Sequence, residues 1–364
     1  MLYYLHWLSE KWSVLGVFKS VCFRAAFALV TSFFICIVLG PRVIAWLKIK
    51  KIKENTAKKD SEFLAQLHGS KKDTPTMGGT ILMLSALSGI ALWCRMDVLF
   101  IPLCIFTMIA LTLVGLYDDY IKLTETKRDG LTKKEKIFYQ MLVGGGMGAA
   151  LYLYGDEKTG STLVFPFIDP SHAIALGIFY PIWATIVTSG TSNAVNLTDG
   201  LDGLATLCFI SAVVAFGLLA YFAGHSQIAA HLNMPRVPGA QELTIVCASL
   251  AGACMGFLWF NAHPAEVFMG DTGSLPLGGL LGLIALCIKQ ELLLIVIGGV
   301  FVIEALSVII QVFSFKVFKK RVFLISPLHH HFEKVGWSEP KIVARFFIVS
   351  VLLAVFTVAA LRIR

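Results

Sequence analysis

The chain has 364 residues, of which 57% are hydrophobic and 15% carry a charge, whereas about 25% of the residues of an ordinary soluble domain are charged. This composition excludes an ordinary soluble protein and indicates an integral membrane protein. The net charge of +8 does not call for a nucleic-acid partner, because Lys and Arg are enriched in cytoplasmic loops of membrane proteins, where they meet anionic lipids.

Residues 1–20 are apolar and aromatic but interrupted by Glu10, Lys11 and Lys19, so we expect an interfacial helix there. A membrane span takes about 20 apolar residues, and ten candidate segments follow. They start near residues 25, 78, 98, 137, 173, 203, 243, 275, 292 and 343. The sequence therefore predicts one all-α polytopic unit over residues 1–364 with about ten transmembrane helices.

The distribution of Lys and Arg predicts how these helices are oriented, because cytoplasmic loops are enriched in both. The loops at 48–77, 118–136 and 316–342 carry 8, 6 and 6 of them, whereas the four opposite loops carry one each. An even number of spans then places both termini in the periplasm. The polar motifs all fall on the cytoplasmic side, where we expect the functional site.

Two adjacent carboxylates, Asp118 and Asp119, end the third span in the motif LYDDY. A single Asp at a helix end often does no more than mark the water boundary. Two side by side raise the pKa of one of them or recruit a cation, and close to lipid their desolvation is costly unless they are paired or functional.

The connection SNAVNLTDGLDGL (192–204) carries Asn196, Asp199 and Asp202 at intervals of three residues. If the sixth helix begins near Thr198, the two aspartates project from one flank of its first turns. Helix capping by Thr198 or Asp199 is the structural alternative.

A further acidic position, Asp271, lies in VFMGDTGSL between Gly270 and Gly273. Small residues let a ligand approach the backbone, and free N–H groups at a helix start favour anions. No GxxxxGK[ST] motif occurs in the chain, which excludes a P-loop NTPase. Oxygen ligands converging on one membrane face suit Mg²⁺ or Mn²⁺ bound to phosphate oxygens rather than a structural zinc.

Three consecutive histidines, His329, His330 and His331, precede the last span. They are too short a run, and too far inside the chain, for a purification tag. A zinc site needs a fourth ligand that nothing nearby supplies, and the eight cysteines are scattered singly through apolar segments.

Glu304 is an intramembrane carboxylate inside the ninth span, expected to pair within the bundle or to bend its helix. The acidic motifs themselves lie at one membrane edge. An ion-coupled transporter would place charged groups near the bilayer midplane. The edge location favours an enzyme that joins a water-soluble phosphorylated substrate to a membrane-embedded one.

The motifs TPTMGG, DDY, NAVNLTDGLDGL, VFMGDTGSL and PLHHHFE, in this order, closely resemble the bacterial phospho-N-acetylmuramoyl-pentapeptide transferases of the polyprenyl-phosphate N-acetylhexosamine-1-phosphate transferase superfamily. The resemblance covers essentially the whole chain. It implies Mg²⁺-dependent transfer of phospho-MurNAc-pentapeptide from UDP-MurNAc-pentapeptide to undecaprenyl phosphate. The products are lipid I and UMP, and the setting is peptidoglycan synthesis at the bacterial inner membrane, with a homodimer implied.

Two alternatives remain at this stage. A sister transferase that uses UDP-GlcNAc is disfavoured by the three histidines. An ion-coupled transporter is disfavoured by the position of the carboxylates.

The resemblance also implies roles for individual residues. Asp271 is the expected Mg²⁺ ligand, and Asp118 activates the lipid phosphate either as a base or by positioning it. Asp119, Asp199 and Asp202 would shape the metal and diphosphate site. The remaining implied catalytic residues are His329, His330 and His331.

The nucleotide-sugar is expected to contact Lys71 and Asn196, with Phe268 stacking on uracil and Asn261 bonding to its edge. A membrane-facing aromatic is the structural alternative for Phe268. Two residues depart from the family's usual pattern, namely Asp73, where Gly is usual, and His263, for which a surface role is expected. The other implied substrate-binding residues are Thr76, Gly270, Ser274 and Gln311.

Overall fold

A computed structural model describes residues 1–50, 74–124, 130–156, 160–166, 168 and 172–361. The prediction of a mainly α-helical chain is confirmed. The α-helices of the described residues are α1 (Val21–Ile49), α2 (Gly79–Trp93), α3 (Phe100–Thr124), α4 (Lys133–Tyr154), α5 (Tyr180–Thr198), α6 (Leu204–Gly224), α7 (Ser226–His231), α8 (Gln241–Asn261), α9 (Asp271–Cys287), α10 (Leu294–Ile297), α11 (Gly299–Phe318), α12 (Leu328–Lys334) and α13 (Glu339–Ala360).

Six helices in the described part of the chain are long and apolar enough to cross a membrane: α1, α3, α6, α8, α11 and α13. Two shorter apolar helices, α2 and α9, accompany them. The chain is therefore a multi-pass membrane protein. The number of ten spans and the sidedness stay predictions.

Two predicted spans start later than the sequence suggested. Residues near 173 form a short antiparallel pair, β1 (Thr162–Leu163) with β2 (Ile174–Ala175), and α5 starts at Tyr180. The apolar residues near 292 form the short α10, and α11 starts only at Gly299. Hydropathy does not distinguish a helix from an apolar strand or a broken helix, which explains both differences.

The expected interfacial helix at residues 1–20 consists of two 3₁₀ helices, Leu2–Glu10 and Ser13–Lys19, separated by Lys11 and Trp12. The amino group of Met1 donates to the carbonyls of Ala91 and Leu92 at the end of α2. The segment therefore packs on the bundle at that end.

The same end of the molecule holds a buried ion pair between the first helix and a distant one. The Arg24 guanidinium makes two 2.7 Å hydrogen bonds to the Glu242 carboxylate and one to the Trp93 carbonyl. Both side chains are at most 5% exposed. A bidentate pair of this kind fixes geometry as well as charge, and it locks α1 against α8.

Helix α9 lies at the centre of the bundle and is buried along its whole length. It packs between α3 and α5. A Cβ at Gly115 would lie 2.3 Å from the Asp271 carbonyl oxygen, and one at Gly278 would lie 2.4 Å from the Thr191 carbonyl oxygen. Glycine therefore lets both helices touch α9 backbone to backbone, which brings their last turns to the start of α9.

Candidate active site

Three buried carboxylates meet where α3 ends and α9 begins. Oxygens of Asp118, Asp119 and Asp271 lie within 4.8 Å of one another, and these residues are at most 8% exposed. The Lys122 ammonium reaches all three, at 2.6, 3.3 and 3.0 Å respectively. Like charges this close raise the pKa of one carboxyl group or recruit a cation, and the Lys122 ammonium is such a cation.

A second lysine and an amide complete the surroundings of Asp271. Lys136 Nζ lies 2.8 Å from one carboxylate oxygen, and the Asn196 amide donates to the other at 2.6 Å. Asn196 also donates to Ser274 and accepts from Lys136. Three carboxylates against two ammonium groups leave one formal negative charge.

Asp119 fixes the start of α9. One of its oxygens accepts from the Thr272 backbone N–H at 3.0 Å and from the Thr272 hydroxyl at 2.8 Å. The other accepts from the Asp271 N–H at 3.4 Å. The carboxylate thus satisfies free N–H groups and the positive end of the helix dipole, and it holds Asp271 in place.

The segment 74–79 runs beside the loop before α9. Phe268 N–H donates to the Pro75 carbonyl, and the Gly78 N–H donates back to the Phe268 carbonyl at 2.8 Å. Thr76 is buried beside Gly270, where a Cβ would lie 3.0 Å from its hydroxyl. Thr76 and Gly270 therefore line the acidic cluster.

Replacing Gly270 by Ala is expected to destabilise this junction. Gly270 has φ 70° and ψ 178°, and a Cβ would lie 2.7 Å from Asp119 Oδ2. Strain of this kind costs about 1–3 kcal/mol, so the apparent unfolding midpoint in detergent should fall.

Gly146→Ala in α4 is the matched control, because nothing lies within 4 Å of an added Cβ there. Its midpoint should stay unchanged or rise slightly. Equal midpoints for both variants would show that the backbone at residue 270 is not restrained.

The helix after the connection at 192–204 begins near residue 203, as the span prediction gave, so the condition that it begins near Thr198 is not met. Thr198 is the last residue of α5, and α6 starts only at Leu204. Gly203 has φ 77°, a left-handed backbone conformation that interrupts a helix, so α5 does not continue into α6. Asp199 and Asp202 therefore lie in a five-residue connection rather than on the flank of a helix.

Asp202 forms a second cluster, apart from the first. Its carboxylate accepts from the Ala265 N–H and lies 3.0 Å from His263 Nδ1, and its N–H donates to Glu339 at 2.7 Å. The His263 side chain is 41% exposed, so the histidine lies at the surface, as expected, but it pairs with a predicted site residue. Asp199 follows α5 directly and is half-buried.

Two predicted nucleotide contacts make structural hydrogen bonds. The Asn261 side chain is buried, accepts from Gly203 and Thr206 and donates to the Val267 carbonyl, so it ties the 199–203 connection to the loop before α9. The Gln311 amide bonds the backbone of Val322 and Phe323, which places it on the segment leading to the histidines. Phe268 is half-buried.

The three histidines lie at the start of α12, each in a different setting. His329 is 1% exposed and contacts Gly200, just after α5. His330 Nδ1 lies 2.6 Å from Glu333, and His331 Nδ1 accepts from the Leu324 N–H. Neither metal-competent cluster of the described residues contains any of them. The end of α5 thus connects the histidines with the acidic cluster. Gly200, just after the helix, contacts His329, and Asn196, one turn before Gly200, donates to Asp271.

Lys71 and Asp73 lie outside the described residues. Sequence reasoning missed Lys122 and Lys136. A signal for Lys122 was present, because residues three and four positions after Asp119 and Asp118 share their helix face. For Lys136, on another helix, no signal was available.

Comparisons with known proteins cover the whole chain. Residues 101–289 match the family described as Glycosyl transferase family 4. A phospho-N-acetylmuramoyl-pentapeptide-transferase of Methylacidiphilum infernorum is 43% identical over 368 residues, with 100% of both chains covered. The proteins of the same name from Endomicrobium trichonymphae and Desulfotalea psychrophila are each 44% identical, with 100% of this chain and 100% and 99% of theirs covered. The similarity thus extends on both sides of the matched family segment.

Proposed function

Since the chain belongs to the phospho-N-acetylmuramoyl-pentapeptide-transferase family, we propose that it transfers phospho-MurNAc-pentapeptide from UDP-MurNAc-pentapeptide to undecaprenyl phosphate, giving lipid I and UMP. The observation that carries the proposal is the meeting of Asp118, Asp119 and Asp271 around Lys122. Phosphoryl transfer chiefly requires that two anions are aligned and their charge neutralised. The acidic cluster supplies groups for both requirements, because its carboxylates can bind a cation and its lysines can bind phosphate oxygens.

Mg²⁺ is the cofactor of this proposal, and the carboxylates fit it. A cationic group, the Lys122 ammonium, already lies within 3.3 Å of an oxygen of each of them, and carboxylate oxygens are the protein ligands that Mg²⁺ prefers. Asp271 would hold the ion, with Asp118 next to it. When bound, the ion neutralises the charge that grows on the diphosphate oxygens.

The net charge of the acidic cluster also determines which oxygens the two lysines bind. With one net negative charge the cluster repels a diphosphate, whereas with a divalent cation its formal charge becomes positive. Lys122 and Lys136 are then free to move from carboxylate to phosphate oxygens. Asn196, bonded to both Lys136 and Asp271, keeps the second lysine in register with the carboxylate.

In the transfer, an oxygen of the lipid phosphate bonds to the β-phosphorus of the nucleotide-sugar. The bond from the β-phosphorus to the bridging oxygen breaks, and UMP leaves with the electron pair. The lipid phosphate is largely ionised at neutral pH, because the second pKa of a phosphate monoester is about 6. Asp118, whose other oxygen accepts from the Leu131 N–H at 2.7 Å, therefore orients the acceptor and Lys122 rather than having to remove a proton.

The membrane arrangement belongs to the same proposal. Ten helices span the bacterial inner membrane with both termini in the periplasm and the acidic cluster facing the cytoplasm, where the nucleotide-sugar is. The Lys and Arg of three loops support this sidedness. The proposal includes a homodimer, for which exposed apolar helix faces offer surface.

The test is UMP release by purified protein in detergent with undecaprenyl phosphate and one of two donors. UMP from UDP-MurNAc-pentapeptide that requires both lipid and Mg²⁺ would support the proposal. UMP from UDP-GlcNAc instead would assign the chain to the sister transferases. If neither donor reacts, transport becomes the next hypothesis to examine.

A further inference from the structure

Glu304 is the acidic residue of α11 that the proposed reaction does not use. It lies six residues into an apolar helix and is 0% exposed. A carboxylate in such a place persists when it is paired or has a function. The sequence offered no partner for it.

The structure supplies the partners from a distant segment. One Glu304 oxygen accepts from the Leu328 N–H at 2.8 Å and the other from the His329 N–H at 3.1 Å. These are the first two residues of α12, whose N-cap, Pro327, makes no side-chain cap. Glu304 therefore caps α12 from another helix. A seven-residue helix depends on such contacts, because isolated helices of this length are not stable.

The same carboxylate faces the first histidine ring. His329 Nδ1 lies 3.3 Å from Glu304 Oε2. On its other side the ring touches the connection after α5, since a Cβ at Gly200 would lie 2.3 Å from His329 Nε2. The His330 ring packs beside it, with 4.2 Å between ring centroids. Three neighbours thus define the position of the His329 ring.

Both ring nitrogens of His329 are buried, and neither makes a hydrogen bond among the described residues. Nδ1 nevertheless has a carboxylate oxygen, Glu304 Oε2, at 3.3 Å, whereas in the part of the chain that the structure describes Nε2 has no charged neighbour of that kind in an ion pair. Buried polar atoms are almost always bonded. Because Nε2 makes no hydrogen bond to the residues that the structure describes and faces the 199–203 connection, it is free to bond to a ligand there. For Nε2 to serve in this way, the ring must keep its Nδ1 proton directed at a fixed acceptor, and Glu304 is the acceptor present.

We propose that Glu304 is a positioning residue of the active site, which holds the first turn of α12 and keeps a proton on His329 Nδ1, so that Nε2 faces the 199–203 connection. A carboxylate that fixes the tautomer and orientation of a working histidine is a known device of catalytic sites. The inference rests on the proposed function for its catalytic part. Its structural part, the tautomer of His329, stands independently.

Glu304→Gln tests both parts. The amide retains size and one acceptor but places an N–H₂ donor against the ring or the helix start. We expect kcat for UMP release to fall at least about 10-fold, with KM for the nucleotide-sugar within about 3-fold of the wild type. In ¹⁵N-histidine-labelled protein, NMR should show the His329 proton moving from Nδ1 to Nε2, with the resonance assigned by its loss in His329→Asn.

Glu291→Gln is the matched control. Glu291, in the connection between α9 and α10, is also a buried carboxylate, 3% exposed, and it accepts a hydrogen bond from the Trp183 indole N–H. This variant should retain the wild-type kcat and the wild-type His329 tautomer. An active Glu304→Gln variant with wild-type kcat, or one with an unchanged tautomer, overturns the inference.

The two readouts separate this inference from the proposed function, because the NMR measurement needs no substrate. A wild type that forms no UMP contradicts the proposed function alone. If Glu304→Gln does not fold, Gly200→Ala tests the same geometry from the other side, since the added Cβ must displace the His329 ring. A comparable fall in kcat supports the positioning role, and wild-type kcat in Gly200→Ala overturns it.

Discussion

Replacing Asp271 by Asn is expected to abolish UMP release, with a loss of at least about 10³-fold in kcat. Asp271 accepts from Lys122, Lys136 and Asn196, so it is the side chain on which the whole cluster converges. Asn has the same shape but presents an N–H₂ group toward these donors. It also removes one of the charges that hold a divalent cation.

The measurement is UMP formation over a range of Mg²⁺ concentrations. Asp97→Asn is the control, because Asp97 is an exposed carboxylate paired with Arg95 beyond the far end of α2. The control should follow the wild-type Mg²⁺ curve. A functional Asp271→Asn variant with an unaltered Mg²⁺ requirement would contradict the assignment of Asp271 as the metal-holding residue.

Replacing Lys122 by Met has the second-largest expected effect, and it acts in two ways. Turnover should fall about 10²-fold, because a cation that neutralises phosphate charge is lost. In the absence of Mg²⁺ the three carboxylates also lose the ammonium that lies between them. Their repulsion then destabilises the fold, and the apparent unfolding midpoint falls.

Mg²⁺ should restore the unfolding midpoint of Lys122→Met, because a ligand that binds only the folded state stabilises that state. The increase in midpoint should be larger in Lys122→Met than in the wild type, because in the variant no ammonium group competes with Mg²⁺ for the carboxylates. Lys134→Met is the control, since Lys134 is exposed on the first turn of α4. Identical Mg²⁺ responses in wild type and Lys122→Met would show that lysine and metal do not share these oxygens.

The residues that sequence reasoning identified are those whose position depends on where a helix ends. Asp118, Asp119 and Asp271 lie at helix ends on one predicted side, and the structure brings them together. Asp202 also lies near a helix end. The break between Thr198 and the next helix, however, depends on the positive φ of Gly203, and a sequence pattern does not distinguish this glycine from others.

Two things that sequence reasoning missed, the contact of Lys136 with Asp271 and the partner of Glu304, depend on how helices are rotated against one another. Lys136 reaches Asp271 from α4, and Glu304 reaches α12 from α11. Apolar periodicity does not fix such rotations in helices that are apolar on all sides. Close packing at small residues fixes them, as at Gly115 and Gly278.

The ion pair between Arg24 and Glu242 has a consequence for how the chain is made. The two residues are 218 positions apart, and chains are synthesised at about 5–20 residues per second, so α1 waits roughly 10–40 s for its partner. During that time the guanidinium lacks its Glu242 partner and is expected to stay at the water boundary, because an unpaired charge is costly in hydrocarbon. The ion pair that locks the first helix against α8 therefore forms only after more than half of the polypeptide has been synthesised.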